Sequence, residues 1–312
     1  MSYTMIEKFL KFRVPLFLSF LFIFPLIFPS YYTYVFSLIG IYCFQTLSLN
    51  ILAGITGQLS LGHAAIMAIG AYTTAILSNK FGIPLLLLIP ISGLFTAIIG
   101  FFIGLPCSRM GGIYLAIATM AFGFAVPEIC LKWDSVTGGY SGLRIKQPHF
   151  FGFVEDYIAL YYLIFLFLIL FLWISHNLIA SKTGRAFISI RDNEVVAESM
   201  GVNLPFYKVL GFVISTFIAG VGGCLYSFLV GFVSPYDFNF WLSIYFLIGI
   251  VVGGMGSISG SIIGAIFITL VPQLTSGYKH LPQMILGALL IVSLIFLPKG
   301  LAAIPSLFNK KR

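Results

Sequence analysis

Charge is the scarcest thing in this sequence. Asp, Glu, Lys and Arg make up 8% of its 312 residues, against roughly 25% in a soluble globular domain. That shortage excludes a soluble protein, which needs polar surface to face water. Acids are scarcer still, 9 against 17 Lys and Arg, and the intramembrane carboxylates that suit a proton-coupled carrier are nearly absent. No G-x-x-x-x-G-K-[ST] loop is present to cradle nucleotide phosphates. No Ser/His/Asp or paired-carboxylate constellation stands out, so no residue is assigned to catalysis. The four cysteines (Cys43, Cys107, Cys130 and Cys224) form no CxxC pair, and no His sits at metal-ligand spacing. They read as small apolar side chains, with no metal or other cofactor implied.

What is abundant is apolar: 60% of the residues are hydrophobic. Runs of about 20 such residues, each able to cross a bilayer, recur along nearly the whole length. The fold class is therefore an all-α polytopic membrane protein, read as a single transmembrane domain over residues 1–312. The net charge of +8 reflects Lys and Arg gathered in cytoplasmic loops, so no nucleic-acid partner is inferred.

Spans are expected at about 14–29, 31–53, 64–78, 84–106, up to 131, 157–178, up to 232, 241–253, 260–271 and 282–298. The first is read as retained, because Phe24-Pro25-Leu26-Ile27-Phe28-Pro29-Ser30 offers no A-x-A-like cleavage site. As one helix, residues 241–271 would measure about 46 Å against a hydrocarbon core of roughly 30 Å. The tilt that requires, near 50°, exceeds the usual range of about 0–40°. Two short segments broken near 253–260, at Gly253-Gly254-Met255-Gly256-Ser257-Ile258-Ser259-Gly260, fit better. Lys8, Lys11 and Arg13 place the N-terminus in the cytoplasm, and Lys310, Lys311 and Arg312 place the C-terminus there too. Two cytoplasmic termini require an even number of crossings, so about ten fits. The same count puts the loop at 179–208 in the cytoplasm and the charge-balanced connection at 132–156 outside.

Three features stand apart from the apolar runs. Within the loop, Gly184 to Met200 reads as one short amphipathic helix with Phe187, Ile190, Val196 and Met200 apolar and Arg185, Arg191, Asp192, Glu194 and Glu198 polar. Gly201 stops it, and Pro205 blocks its continuation. A helix lying in the membrane interface usually carries Lys and Arg on its polar face; one presenting both signs suits a partner protein. Small residues recur at helical spacing, as Ala64, Ala68, Ala71 and Ala75 and as Gly249, Gly253, Gly256, Gly260 and Gly264. They permit close helix packing and also suit the lining of a narrow path. Glycine/serine interruptions at 54–62 and 253–260 free backbone groups that are tolerated at membrane depth only inside protein or beside a watery cavity. Gln58, Ser60, Gly62 and His63 in the first, and Gly253, Gly256, Ser257 and Gly260 in the second, are the candidates for a translocation path.

The run from Asn50-Ile51-Leu52-Ala53-Gly54 through Gly57-Gln58-Leu59-Ser60-Leu61-Gly62-His63 to Gly70-Ala71-Tyr72 resembles the signature of branched-chain amino-acid ABC-transporter permeases. Gly184-Arg185-Ala186 through Arg191-Asp192-Asn193-Glu194 to Gly201, and Gly249 to Gly264, resemble two further segments of that family. The resemblance runs from about residue 40 onward, and the length of the cytoplasmic loop favours the M-type (LivM-like) subunit over its H-type sister. It implies a non-catalytic pore subunit of the bacterial inner membrane, working with a second homologous permease, two ATP-binding cassette subunits and a periplasmic binding protein. It also implies an ATPase-coupling role for Gly184, Arg185, Arg191, Asp192, Glu194, Glu198 and Gly201. The general importer pattern E-A-A-x-x-x-G is not met literally: Val195 and Val196 follow Glu194, and Gly201 lies seven residues on. Leucine, isoleucine and valine are the implied cargo. The same machine moving urea, an amide or another amino acid remains open, as does a stand-alone channel or carrier, which has no need of a mixed-charge docking helix.

Overall fold

A computed structural model of the chain describes residues 24–146, 156–275, 277–278, 281–297 and 300–303. The greater part of the expected first span, the basic clusters at both termini and residues 147–155 of the outer connection lie outside the described residues.

The centre of the molecule is α1 (Ser30–Leu49), which runs on without a break into a π-helical turn, Asn50–Ile55. Around it stand α2 (His63–Phe81), α3 (Leu85–Cys107), α4 (Ile113–Lys132), α6 (Asp156–Ala180) and α9 (Leu204–Val230). Then come α10 (Phe240–Gly253), α11 (Ile258–Leu274) and α12 (Leu281–Phe296). Five helical segments among the described residues are long and apolar enough to cross a membrane; α10, α11 and α12 are apolar but shorter. At 14 and 17 residues, α10 and α11 measure about 21 and 26 Å, each short of a roughly 30 Å core. The expected break in 241–271 is therefore present, and it produces an antiparallel hairpin in which Gly249 meets Gly264 and Gly253 meets Gly260.

The small-residue stripes serve packing. Ala64, Ala68, Ala71 and Ala75 are all buried, and Gly70 on the same helix lies against the backbone of Gly220 in α9. Ser92 of α3 closes that junction by donating to the carbonyls of Gly70 (3.0 Å) and Gly220 (3.1 Å). Ile41, Phe44 and Leu47 of α1 and Val221, Cys224 and Leu225 of α9 fill the core between these contacts. All four cysteines are buried thiols.

Successive bundle helices alternate in direction, so the chain has two ends. One holds the 56–62 connection, the α10–α11 break and two short helices, α7 (Lys182–Asp192) and α8 (Glu194–Ser199). At the other, α5 (Asp134–Thr137) leads to β1 (Leu143–Arg144), which pairs antiparallel with β2 (Phe232–Val233). There the Asn79 side chain donates to the Arg144 carbonyl at 2.6 Å. A 3₁₀ turn, Pro235–Phe238, follows, opened by a capping box of Ser234 and Asp237.

Candidate coupling site

The segment read as one amphipathic helix from 184 to 200 is two. Asn193 leaves helical conformation (φ −162°, ψ 110°), and its side chain accepts from the Val196 amide at 3.2 Å, capping α8 as a new helix. The redirection changes which face is buried. Phe187 and Ile190 of α7 pack inward, whereas Val196 at 57% and Met200 at 81% are exposed, with Val195 beside them at 73%. Gly201, expected as the stop, adopts φ +84°. Its amide bonds Glu198 O (2.9 Å), and Val202 N bonds Ala197 O (3.0 Å). Gly184 sits where any Cβ would strike the carbonyls of Leu178 and Ile179, so it permits the tight exit from α6.

The charged loop residues divide by what they touch. Arg185 is exposed and donates to the Ala180 carbonyl at 3.2 Å. Glu198 and Asp192 are exposed. Glu194 turns back to the bundle, where its carboxylate accepts from Lys208 Nζ at 2.7 Å; that lysine side chain is only 5% exposed. Arg191 reaches furthest. Its Nε and Nη2 are held by Asp192 Oδ1 (3.1 and 3.0 Å), while Nη1 donates to the Gly54 carbonyl at 2.9 Å. Gly57 (φ +74°) lies so close beneath Arg191 that a Cβ there would come within 3.0–3.3 Å of it.

Thus the loop and the two interruptions, separate in sequence, meet at one place. In the first interruption Gln58 Nε2 donates to Thr56 Oγ1 (3.1 Å) and to the carbonyl of Lys208 (3.2 Å). His63 Nε2 pairs with Ser48 Oγ, and the Ala64 amide donates to Ser243 Oγ at 2.9 Å. Gly62 packs on the Thr119 carbonyl of α4. Gln58, Ser60, Gly62 and His63 are all buried, and Gln58 Oε1, Ser60 Oγ and His63 Nδ1 have no hydrogen-bond partner within the chain. In the second interruption, Gly254 (φ +128°) and Gly256 (φ +79°) make the turn, and Ser257 caps α11 through the Gly260 amide at 3.4 Å. Gly253 and Gly260 are spent on each other, whereas Gly256 and Ser257 are half-buried.

Sequence reasoning assigned no role to the residue that joins the two interruptions. Asn50, 2% exposed, donates from Nδ2 to Ser257 O (2.7 Å) and Ser261 Oγ (2.8 Å), and its Oδ1 accepts from the Gly256 amide (2.7 Å). Polar side chains recur along this inner stretch of α1: Gln45 donates to Ala219 O (3.0 Å), Thr46 to Ser261 O (2.9 Å), and Ser215 Oγ to Ser48 O (2.8 Å). The available signal was Asn50 itself, an amide inside an apolar run, since such groups at membrane depth find partners.

The family pattern described as "Branched-chain amino acid transport system / permease component" matches residues 31–294. The high-affinity branched-chain amino acid transport system permease protein LivM of Escherichia coli is 34% identical over 286 residues, covering 84% of this chain and 67% of that protein. The probable LivM of Methanocaldococcus jannaschii is 24% identical, covering 84% of this chain and 90% of the relative. The LivH protein of Escherichia coli is 31% identical over 127 residues, 40% of this chain. No solved structure matches. With the family pattern spanning all nine bundle helices but for the first residue of α1 and the last two of α12, the chain belongs to the branched-chain amino acid transport permease family, on its LivM side.

Proposed function

We propose that the chain forms half of the membrane pore of an ATP-driven importer for leucine, isoleucine and valine, and performs no chemistry itself. A second, homologous permease supplies the other half. Two ATP-binding cassette subunits dock at the α7–α8 end, and a substrate-binding protein delivers cargo at the β1–β2 end. The host is the bacterial cytoplasmic membrane. The observation that carries the docking is the exposed apolar trio Val195, Val196 and Met200 within a charged loop. Such side chains in water mark a protein contact, and Arg185, Asp192 and Glu198 surround them with both signs. Lys182, Arg185, Arg191 and Lys208 at this end support its cytoplasmic placement. Nine alternating helices among the described residues, together with the span expected at 14–29, would make ten crossings with both termini inside.

Gly256 and Ser257, half-buried at the break, border the inner mouth of the path in this reading. Gly253 and Gly260 hold the hairpin together behind them. The unpartnered polar atoms of Gln58, Ser60 and His63 support a polar route or a change of partners nearby.

The test is purification from native membranes in mild detergent, with mass spectrometry of the companions. Two proteins with nucleotide-binding P-loops and a related permease are expected. Recovery of the chain alone would overturn the reading in favour of a self-sufficient channel or carrier.

A further inference from the structure

A π-helical turn is unusual, and single turns of this kind concentrate at functional positions. Here the turn Asn50–Ile55 offers two groups to two different elements. The Gly54 carbonyl takes Arg191 from the docking helix α7, while the Asn50 side chain, four residues earlier, takes the α10–α11 break. Asn50 commits its acceptor and both donors of its amide to Gly256, Ser257 and Ser261. These bonds and that of Arg191 converge, because a Cβ on Gly256 would lie 3.1 Å from Arg191 Nη1 and 3.2 Å from the Gly54 oxygen. A Cβ on Gly54 would in turn collide with the Asn50 side chain and the Gly256 amide. No bulk separates the three elements, so displacement of one is felt by the others.

The break itself is built to move. It contains two glycines at positive φ, and the helices that flank it touch through glycine backbones rather than interlocked side chains, an arrangement that permits small sliding shifts. On its far side Gly254 lies against Gly300.

We propose that the α10–α11 break is a moving part of the transport cycle and that Asn50, with the Gly54 carbonyl, is the joint through which α7 drives it. This rests on the importer reading above. Asn50 is a positioning residue here: it touches the break, and α7 acts on it through Gly54. Hydrogen bonds suit such a joint, being directional and fully satisfied in one arrangement yet exchangeable without burying a charge.

The test uses the complete importer reconstituted in proteoliposomes, measuring labelled leucine uptake and substrate-stimulated ATP hydrolysis on the same preparation. Asn50→Leu keeps the bulk and loses the acceptor and both donors. Ser261→Ala removes one partner with little risk to folding. Arg191→Lys keeps the charge and loses the planar fork. The joint predicts that in Asn50→Leu and Ser261→Ala assembly and hydrolysis stay within about twofold of wild type. Leucine moved per ATP falls about tenfold in Asn50→Leu, which loses three hydrogen bonds, and about threefold in Ser261→Ala, which loses one. Arg191→Lys should also lower leucine moved per ATP, and as a residue of the docking helix it is not expected to leave hydrolysis untouched. Uptake and hydrolysis falling in parallel in Ser261→Ala, an Asn50→Leu complex that fails to assemble alongside a fully coupled Ser261→Ala, or unchanged coupling in all three would overturn it. A wild-type complex without ATP-dependent uptake would instead overturn the importer reading, so the two failures are distinguishable.

Discussion

Glu194 and Glu198 lie four residues apart on one loop, and the structure gives them different work. Replacing Glu194 by Ala leaves the Lys208 ammonium, 5% exposed, without its carboxylate. Lys208 is the fifth residue of α9, close to the positive end of that helix's dipole, where a cation is already disfavoured. Removing one partner of a fully buried pair costs about 3–5 kcal/mol. Glu194 is itself 49% exposed, and a lysine stem can carry its head toward water, so a loss of about 1–3 kcal/mol follows. Lys208→Met keeps the apolar bulk and removes the charge, so Glu194→Ala with Lys208→Met should recover most of the loss. Thermal unfolding of the purified protein in detergent, followed by intrinsic fluorescence, completes the double-mutant cycle. Glu198→Ala, on the exposed face, should leave melting within about 0.5 kcal/mol of wild type while lowering ATP-dependent uptake severalfold. Melting of Glu194→Ala that matches wild type, or a double variant no more stable than Glu194→Ala, would refute the buried-pair argument. Normal uptake by Glu198→Ala would remove that carboxylate from the docking surface.

Two further outcomes follow from the geometry. Gly253→Val forces a side chain onto the Gly260 carbonyl and should cost about 1–3 kcal/mol by overpacking, read as a lowered midpoint in the same unfolding assay; an unshifted midpoint would show that the hairpin opens freely. Asp237 lies in the turn after β2, where desolvation raises its pKa above the ordinary carboxylate value, partly offset by the hydrogen bond from the Ser234 backbone. With the folded pKa above the unfolded one, the native state holds the proton more tightly. Its relative stability is therefore full at low pH and declines as pH rises from the unfolded value through the raised folded one. Asp237→Asn, which retains an acceptor for Ser234, should flatten that part of the pH–stability curve, and an unchanged slope would count against the assignment.

The hairpin was legible in the sequence because length alone decided it: residues 241–271 do not fit a bilayer as one rod. The loop after α6 was legible as helical and wrong in detail. Its apolar residues are spaced as one helix, but Asn193 uses its own side chain to start a second, a local competition that periodicity does not register. That one residue turns Val196 and Met200 outward. The Asn50 joint was not legible as a contact, since its partners lie 206–211 residues away and only folding brings them together. The burial of Lys208 and its pairing with Glu194 were not legible either, because they depend on how α8 returns to α9.

The polar stretch of α1 has a consequence for how the chain is made. Gln45, Thr46 and Asn50 enter the membrane early in synthesis, whereas their partners at Ala219, Ser257 and Ser261 are still unmade. At about 5–20 residues per second, the wait for the last of them is on the order of 10–40 seconds. During that interval the helix destined for the centre lies in lipid without the partners that its Gln45 and Asn50 amides take in the finished fold. It must be sheltered by the insertion machinery, or by provisional neighbours, until α9 and α11 arrive. A chain that stops at the end of α10 would leave the Asn50 amide in the bilayer without Gly256, Ser257 and Ser261, while Gln45 would already hold Ala219.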